Sequence, residues 1–393
     1  MSASLDDRLE EVLRAQRAAG TFKRFRVLDA PQAPRTRLAS GAEVVVASSN
    51  DYLGLAADPA VVEAGVEGLR RYGAGTASVR FISGTFTAHL ELERALAEWV
   101  GTAAATTYVS CWNANAAVIG TLTDRETVLF SDDLNHASII DACRAAPARA
   151  RVVYPHGDLA LLDRRLGEHA DAGRRIVVTD GVFSMEGDLA PLPDLVEIVR
   201  RHDAVLVLDD SHGLGVMGQT GRGTAEHFGL LGEVDVITGT LGKALGGAAG
   251  GFVAGSRPLC ELLEQQARPG LFSNALPATV ACSAREALRR LAADPRRVRR
   301  LHDVADALRT GLRDRGLDPL PSESGIVAVL VGETDRAIAL SERLEREFHL
   351  LVTGFGYPVV PEGTARLRLQ ASAAMDDTTV ARIVDAVATV AAE

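Results

Sequence analysis

A chain of 393 residues, 47 % hydrophobic and 24 % charged, has the length for about two or three domains with large cores. Its formal charge of -10 argues against a nucleic-acid partner, because such binders carry a basic patch or stripe. No run of about 18 apolar residues is present and the start is acidic and polar, so neither a membrane span nor a secretory signal is expected.

Taken in chain order, Leu5, Leu9, Val12 and Leu13 recur at helical spacing, which predicts an amphipathic helix from Leu5 to Ala19, followed by an irregular arm to Ser48. From there helical stretches (59 to 72, 87 to 100, 113 to 123, 191 to 202) alternate with β-branched runs at Ala104 to Val109, Arg175 to Thr179, Ala204 to Leu208, Val234 to Thr238 and Gly251 to Ala254. That alternation predicts an α/β fold with a mostly parallel sheet wrapped by helices. After Ala292 come long helices (297 to 315, 335 to 348, 376 to 391) and strands near Gly325 to Val331 and Ala365 to Gln370, the texture of a smaller α+β domain. The expected division is an N-terminal helix and arm over 1–47, a large domain over 48–290 and a small one over 291–393.

Only two of the 42 basic residues are lysines, Lys23 and Lys243, and the second lies in Thr240-Leu-Gly-Lys243-Ala-Leu-Gly-Gly247. Where arginine otherwise supplies positive charge, a lysine kept in a Gly-rich turn points to chemistry a guanidinium cannot do: losing a proton, attacking a carbonyl and holding a Schiff base. The alternative is a chance survivor of an arginine-rich composition. Cys111, Cys143, Cys260 and Cys282 show no C-x-x-C pair and no metal-ligand spacing with the nine histidines, so no metal is expected and a reducing cytoplasm fits best.

Two glycine patterns invite a nucleotide reading. Gly213-Leu-Gly215-Val-Met-Gly218 follows a strand as a dinucleotide fingerprint should, but leads into Gln219-Thr-Gly-Arg-Gly223, a loop where a helix is required. A nicotinamide dehydrogenase is therefore the weaker reading. The segment at Gly242-Lys243 lacks the upstream glycine and the following Ser or Thr of a P-loop.

A different set of residues is coherent. Val205-Leu-Val-Leu-Asp209-Asp210-Ser211-His212 puts an acidic pair and a histidine at the carboxyl end of a buried strand, where open α/β sheets bind ligands and where a carboxylate could pair with a protonated ring nitrogen. Read singly, such an Asp also serves as a helix cap or turn former. Thr240 and Lys243 suit a phosphorylated aldehyde, and Ser110-Cys111-Trp112-Asn113 opens a helix whose free N–H groups make an anion site. His136, in Asp132-Asp133-Leu-Asn135-His136-Ala-Ser, is either a capping residue or a ring for a cofactor face. Arg366 and Arg368 alternate on a strand and share one face, where an arginine can anchor a carboxylate. Together these are the parts of a pyridoxal phosphate site.

Five motifs in order, Ser49-Asn50-Asp51-Tyr52-Leu53-Gly54-Leu55, Asp132 to Ser138, Asp180-Gly-Val-Phe-Ser184-Met185-Glu-Gly187-Asp188, Asp209 to Gly213 and Thr240 to Lys243, give a chain that resembles the α-oxoamine synthases over residues 45 to 375. The resemblance implies the aspartate-aminotransferase fold (fold type I), pyridoxal 5'-phosphate as cofactor, and condensation of an amino acid with an acyl-CoA. Segments 78–85, 268–276 and 354–363 look most like the glycine acetyltransferase branch, in which glycine and acetyl-CoA interconvert with 2-amino-3-oxobutyrate and CoA in threonine breakdown. Met375 after Ala373-Ala374, where the family usually has histidine, and Ser324-Gly325-Ile326-Val327-Ala328 depart from the pattern. They leave open another acyl thioester, with a synthase of the biotin-precursor type or a specialised-metabolism enzyme as the alternative.

By the same resemblance, Lys243 holds the cofactor and acts as base, Asp209 partners the pyridine nitrogen, His136 stacks on the ring and His212 bonds its phenolic oxygen. Ser110, Cys111, Trp112, Ser184 and Thr240 join the cofactor contacts, while Ser273 and Asn274 reach in from a second subunit of a homodimer. Asn50, Ser184 and Arg368 hold the amino-acid substrate.

Overall fold

A computed structural model of the chain describes residues 4–392, so residues 1–3 and Glu393, the outer ends of the first and last expected segments, lie outside the described residues. The first helix, Leu5–Ala18, begins at a capping box in which Ser4 and Asp7 satisfy each other's backbone N–H groups. None of its residues is buried, and Leu5, Leu9 and Val12 stand open. The arm expected to be irregular contains two short strands, β1 (Arg35–Arg37) and β2 (Glu43–Val46), paired antiparallel. Three and four residues are too short for a period to register, and β2 is held by tertiary pairing with a strand three hundred residues later.

Seven strands make the main sheet: β3 (Ala104–Tyr108), β4 (Thr127–Asp132), β5 (Ala150–Tyr154), β6 (Arg174–Asp180), β7 (Val205–Asp209), β8 (Val236–Thr240) and β9 (Gly251–Gly255). Their spatial order is β3-β9-β8-β7-β6-β4-β5, with β9 antiparallel to both neighbours and the pairs from β8 through β5 parallel. Central strands such as β7, with Leu206, Val207 and Leu208 fully enclosed, are the continuous apolar runs of a sheet covered on both faces. The strands β4 and β5 and the helices Ala137–Ala145, Leu159–Glu168 and Ala278–Ala293 were not singled out by periodicity. β5 lies at the sheet edge, where its outward arginine blurs the apolar run.

Beyond this sheet, β10 (Ile326–Gly332), β11 (Leu350–Leu351), β12 (Thr353–Phe355) and β13 (Ala365–Gln370) complete two small sheets. One has the order β10-β13-β12; the other joins β11 to β2 in parallel. The helices Arg296–Asp314, Thr334–Phe348 and Asp377–Ala391 accompany them.

The glycine pattern at 213–218 has a packing explanation. Residues 213–223 form turns, and a helix, Thr224–His227, starts only afterwards. The Asp210 carboxylate accepts from the Thr224 backbone N–H at 2.8 Å and from the Thr224 hydroxyl. A Cβ placed on Gly181, Gly213 or Gly223 would overlap that carboxylate. These glycines therefore make room for a buried Asp–Thr pair. Gly213→Ala is expected to destabilise the fold by about 1–3 kcal/mol, as overpacking does. Urea unfolding that leaves its midpoint unchanged would show that the packing is not tight.

Candidate active site

The carboxyl ends of β6, β7 and β8 lie side by side, with Asp180 opposite Asp209 and Asp209 opposite Thr238. Beside them the helix Cys111–Leu122 begins, capped by Ser110, whose Oγ accepts from the Asn113 N–H at 3.2 Å. β9 presses on this helix start closely enough that a Cβ on Gly251 would stand 2.5 Å from the Cys111 Cα. The first-turn N–H groups of Cys111 and Trp112 have no partner within the helix and are the kind of donors an anion needs.

Asp209, only 3 % exposed, is held on both oxygens. Oδ2 accepts from Asn115 Nδ2 at 2.7 Å and Oδ1 from the Ser211 N–H at 3.0 Å. The Cys111 Sγ lies 3.7 Å from Oδ2 and accepts from the Ser211 hydroxyl at 3.3 Å. Burial, and then the Asp209 charge, push the Cys111 thiol well up, so it is an un-ionised, inert thiol. Lys243 sits in the turn after β8. Burial lowers its pKa while Asp209 pulls it back up, which leaves an amine that can lose its proton more readily than a surface lysine. Lys23 is exposed on the arm, apart from this group.

Both proposed rings are held by neighbours. His136 caps the helix Ala137–Ala145: its Nδ1 accepts from the Ser138 N–H at 3.2 Å and lies 2.8 Å from the Ser138 Oγ, while its backbone N–H donates to Asp180 at 2.7 Å. The structure shows the capping role, and the cap fixes the orientation of the ring. Trp112 meets the His136 ring edge to face, with centroids 6.1 Å apart. His212 Nδ1 lies 2.8 Å from the Tyr52 hydroxyl, which donates to Gln370 Oε1 at 3.0 Å; Gln370 Nε2 in turn donates to Asn50 Oδ1 at 2.7 Å. Burial, then Lys243, holds His212 well below the usual imidazole range, so its ring is neutral.

One face of β13 supplies Arg366, Arg368 and Gln370. Arg366 pairs with Glu186 at 2.7 Å, and Arg368 donates from Nη1 to the Ser184 carbonyl at 2.6 Å. The Arg368 Nε is buried without a partner, an unspent donor. Thr240 spends its hydroxyl on the turn, donating to the Gly250 carbonyl at 3.2 Å and accepting from the Gly242 N–H at 3.1 Å. Asn274 is bridged to Val79, so the segment with Ser273 and Asn274 is tied to residues 76–84 and not to the Asp209 group.

A class I and II aminotransferase family model matches residues 42–387. The chain belongs to this family. It is 44 % identical to an 8-amino-7-oxononanoate synthase of Geobacter sulfurreducens, over 100 % of this chain and 99 % of that protein. It is 40 % identical to a 2-amino-3-ketobutyrate coenzyme A ligase of Salmonella typhimurium, over 95 % and 94 % of the two chains. A serine palmitoyltransferase variant from S. paucimobilis, solved with a bound PLP–myriocin aldimine, superposes with a TM-score of 0.92 at 30 % identity, over 99 % and 98 % of the two chains. Within the family the chain is therefore an α-oxoamine synthase of the type I fold, and its cofactor is pyridoxal 5'-phosphate. The residues fit that group: a half-buried amine with a lowered pKa, a carboxylate held by donors, a helix start shaped by Gly251 and an arginine with a donor to spare.

Sequence reasoning missed His156. Its Nδ1 binds Asp132 at 3.1 Å, its Nε2 binds Asp188 at 2.9 Å, and its ring meets Phe183 edge-on at 4.3 Å. It bolts the loop carrying His136 to the loop carrying Ser184. The hydrogen bonds to Asp132 and then Asp188 raise its pKa from 6.5 to about 10. Because the folded value is raised, the stabilisation is fully present below the unfolded pKa of about 6.5 and is lost as pH rises through about 10. The thermal midpoint of the wild type should fall across that window more steeply than that of His156→Gln. Parallel profiles would show that the bolt is not ionic.

Proposed function

We propose that this α-oxoamine synthase condenses a small amino acid, glycine in the first reading, with an acyl-CoA, acetyl-CoA in the first reading, to a 2-amino-3-oxo acid, or runs the reverse cleavage. The observation that carries the reading is the half-buried Lys243 amine, within the field of Asp209 and with its pKa lowered by burial. When bound, pyridoxal phosphate supplies an electron sink for the charge left at the amino acid's Cα.

The chain's own residues do the rest. Lys243 would hold the cofactor through its amine, and its Nζ, with the pKa lowered by burial, would be the group to take a proton from the amino acid's Cα. Asp209, held by Asn115 and the Ser211 N–H, would partner the ring nitrogen. His136, capped on Ser138, would lie against the ring, and neutral His212, braced on Tyr52, would bond its phenolic oxygen. The N–H groups of Cys111 and Trp112, with Ser110 and Thr240 beside them, cradle the phosphate; Thr240 would have to exchange its bond to Gly250 to do so. Arg368 grips the substrate carboxylate with Nε, aided by Asn50 and by the Ser184 loop it already binds. Ser273 and Asn274 complete the site from a second subunit. The apolar residues left open on Leu5–Ala18 support a homodimer.

A second reading pairs alanine with a longer acyl donor. The 44 % identity to a protein whose name denotes a nine-carbon amino-keto acid favours it. So does a groove of about 520 Å³ between the arm at residues 20–26 and residues 353–359. That groove shares Phe355 with the site, the Arg368 guanidinium lying 4.7 Å from the ring centroid.

Lys243→Arg keeps the charge and loses imine formation. It should purify colourless, resist borohydride labelling and lose at least about a thousandfold in turnover; a yellow, active variant would overturn the scheme. To separate the two readings, glycine, alanine and serine are each screened against acyl-CoAs of rising length. A preference for glycine with acetyl-CoA is expected, and a preference for alanine with a long chain would move the assignment to the second reading.

A further inference from the structure

Asn115 takes no part in the roles assigned above, yet it is completely enclosed at the centre of the site. Its amide makes three bonds. Nδ2 donates to Asp209 Oδ2 at 2.7 Å and to Ser138 Oγ at 2.9 Å, and Oδ1 accepts from Thr238 Oγ1 at 2.7 Å. The amide is oriented with its NH2 toward the Asp209 oxygen and the Ser138 hydroxyl oxygen, both acceptors, and its carbonyl toward the donating Thr238 hydroxyl. With Ser138 Oγ accepting from Asn115, the hydroxyl proton of Ser138 is free to point at His136 Nδ1, 2.8 Å away. That leaves the His136 proton on Nε2. A single amide thus joins the carboxylate at the end of β7 to the ring that caps the helix Ala137–Ala145.

Resting on the pyridoxal-phosphate reading of this site, we propose that Asn115 is a positioning residue that keeps Asp209 charged and aimed at the ring nitrogen while fixing His136 through Ser138. The surroundings make such a donor necessary. Asp180 and Asp210 lie beside Asp209, and burial together with Asp209 pushes their own carboxyls up, toward the neutral form, so neither neighbour offers a cation to pair with Asp209. Lys243 is the nearby cation, but its amine is required for the cofactor and cannot stay as a permanent counter-ion. A neutral donor bonded to the charged form of the carboxylate does not face that conflict. Thr238, one strand over, holds the amide from behind.

Asn115→Leu preserves bulk and removes both donors; Thr238→Val removes only the backing hydroxyl. Two readouts need no acyl donor: the dissociation constant of pyridoxal phosphate for the stripped enzyme, and the pH at which the visible band of the bound cofactor titrates. With Asp209 no longer held, positive charge leaves the ring nitrogen, and the imine nitrogen nearby holds its proton to higher pH. Asn115→Leu should weaken cofactor binding about tenfold or more and move the midpoint upward by about one pH unit. Thr238→Val should shift both in the same direction by less. Wild-type values of both quantities in Asn115→Leu would overturn the proposal. Should that variant not fold, Thr238→Val carries the test, and wild-type values there overturn it. A wild-type enzyme that binds no pyridoxal phosphate through Lys243 would instead sink the underlying reading, and a mistaken acyl donor would leave both readouts untouched.

Discussion

Two adjacent carboxylates at the end of β7 impose the constraint around which the rest of the structure is arranged. Successive side chains on a strand face opposite ways, so Asp209 and Asp210 are sent into different surroundings by the backbone alone. Asp210 meets the Thr224 hydroxyl and N–H in a nest that Gly181, Gly213 and Gly223 keep open. Asp209 meets Asn115, the Ser211 N–H and the Cys111 thiol. An unpaired charge buried there would be too costly to keep, so each acid is surrounded by donors drawn from other elements. The two acids thus divide: Asp210 organises the turns that follow the strand, while Asp209 is held among the residues of the candidate site.

The same economy of donors explains how three loops reach one place. β13 presents Arg366, Arg368 and Gln370 from a single face: the two arginines engage one loop, at Glu186 and the Ser184 carbonyl, and Gln370 engages the pair Asn50 and Tyr52. His156 ties the Asp132 loop to the Asp188 loop from the other side. Ser324, one of the departures from the family pattern, donates to the Gly187 carbonyl at 2.7 Å, and the carbonyl of Met375, the other, accepts from Arg300 at 2.8 Å. Both positions therefore brace loops and helices around the site, and their immediate partners are not themselves site residues.

Much of this was legible in the amino-acid sequence, for a physical reason. The alternation of apolar runs and helical stretches is a local signal, and so is a lysine or an acidic pair at the end of a strand; Lys243, Asp209, His212 and the alternating arginines could be picked out that way. Asn115, Tyr52, Gln370 and His156 could not. Asn115 sits inside a helix pattern as an ordinary polar residue, and its partners are 23, 94 and 123 residues away. Tyr52 and Gln370 are 318 positions apart. Such contacts are made by the order of strands in the sheet, which no single window contains. The short strands β1 and β2 were illegible for the same reason: β2 is defined by what pairs with it, β1 on one side and β11 on the other.

The scarcity of lysine takes on a definite meaning in this setting. Arg368, buried, and Lys243, half-buried, are both cations whose charged forms are disfavoured by burial, and each sits within reach of an acid's field. Their chemistry separates them. A guanidinium stays protonated under this pressure, so Arg368 remains a fixed charge braced on the Ser184 carbonyl. An amine under the same pressure becomes a base and a nucleophile. Burial alone would release the proton; Asp209 nearby opposes that release. Bonding Asp209 to a neutral amide lets the carboxylate persist without requiring Lys243 to remain charged beside it. On the proposed reading the lysine is thereby left available for covalent chemistry, and the amide that bonds Asp209, Asn115, is where that separation of duties would rest.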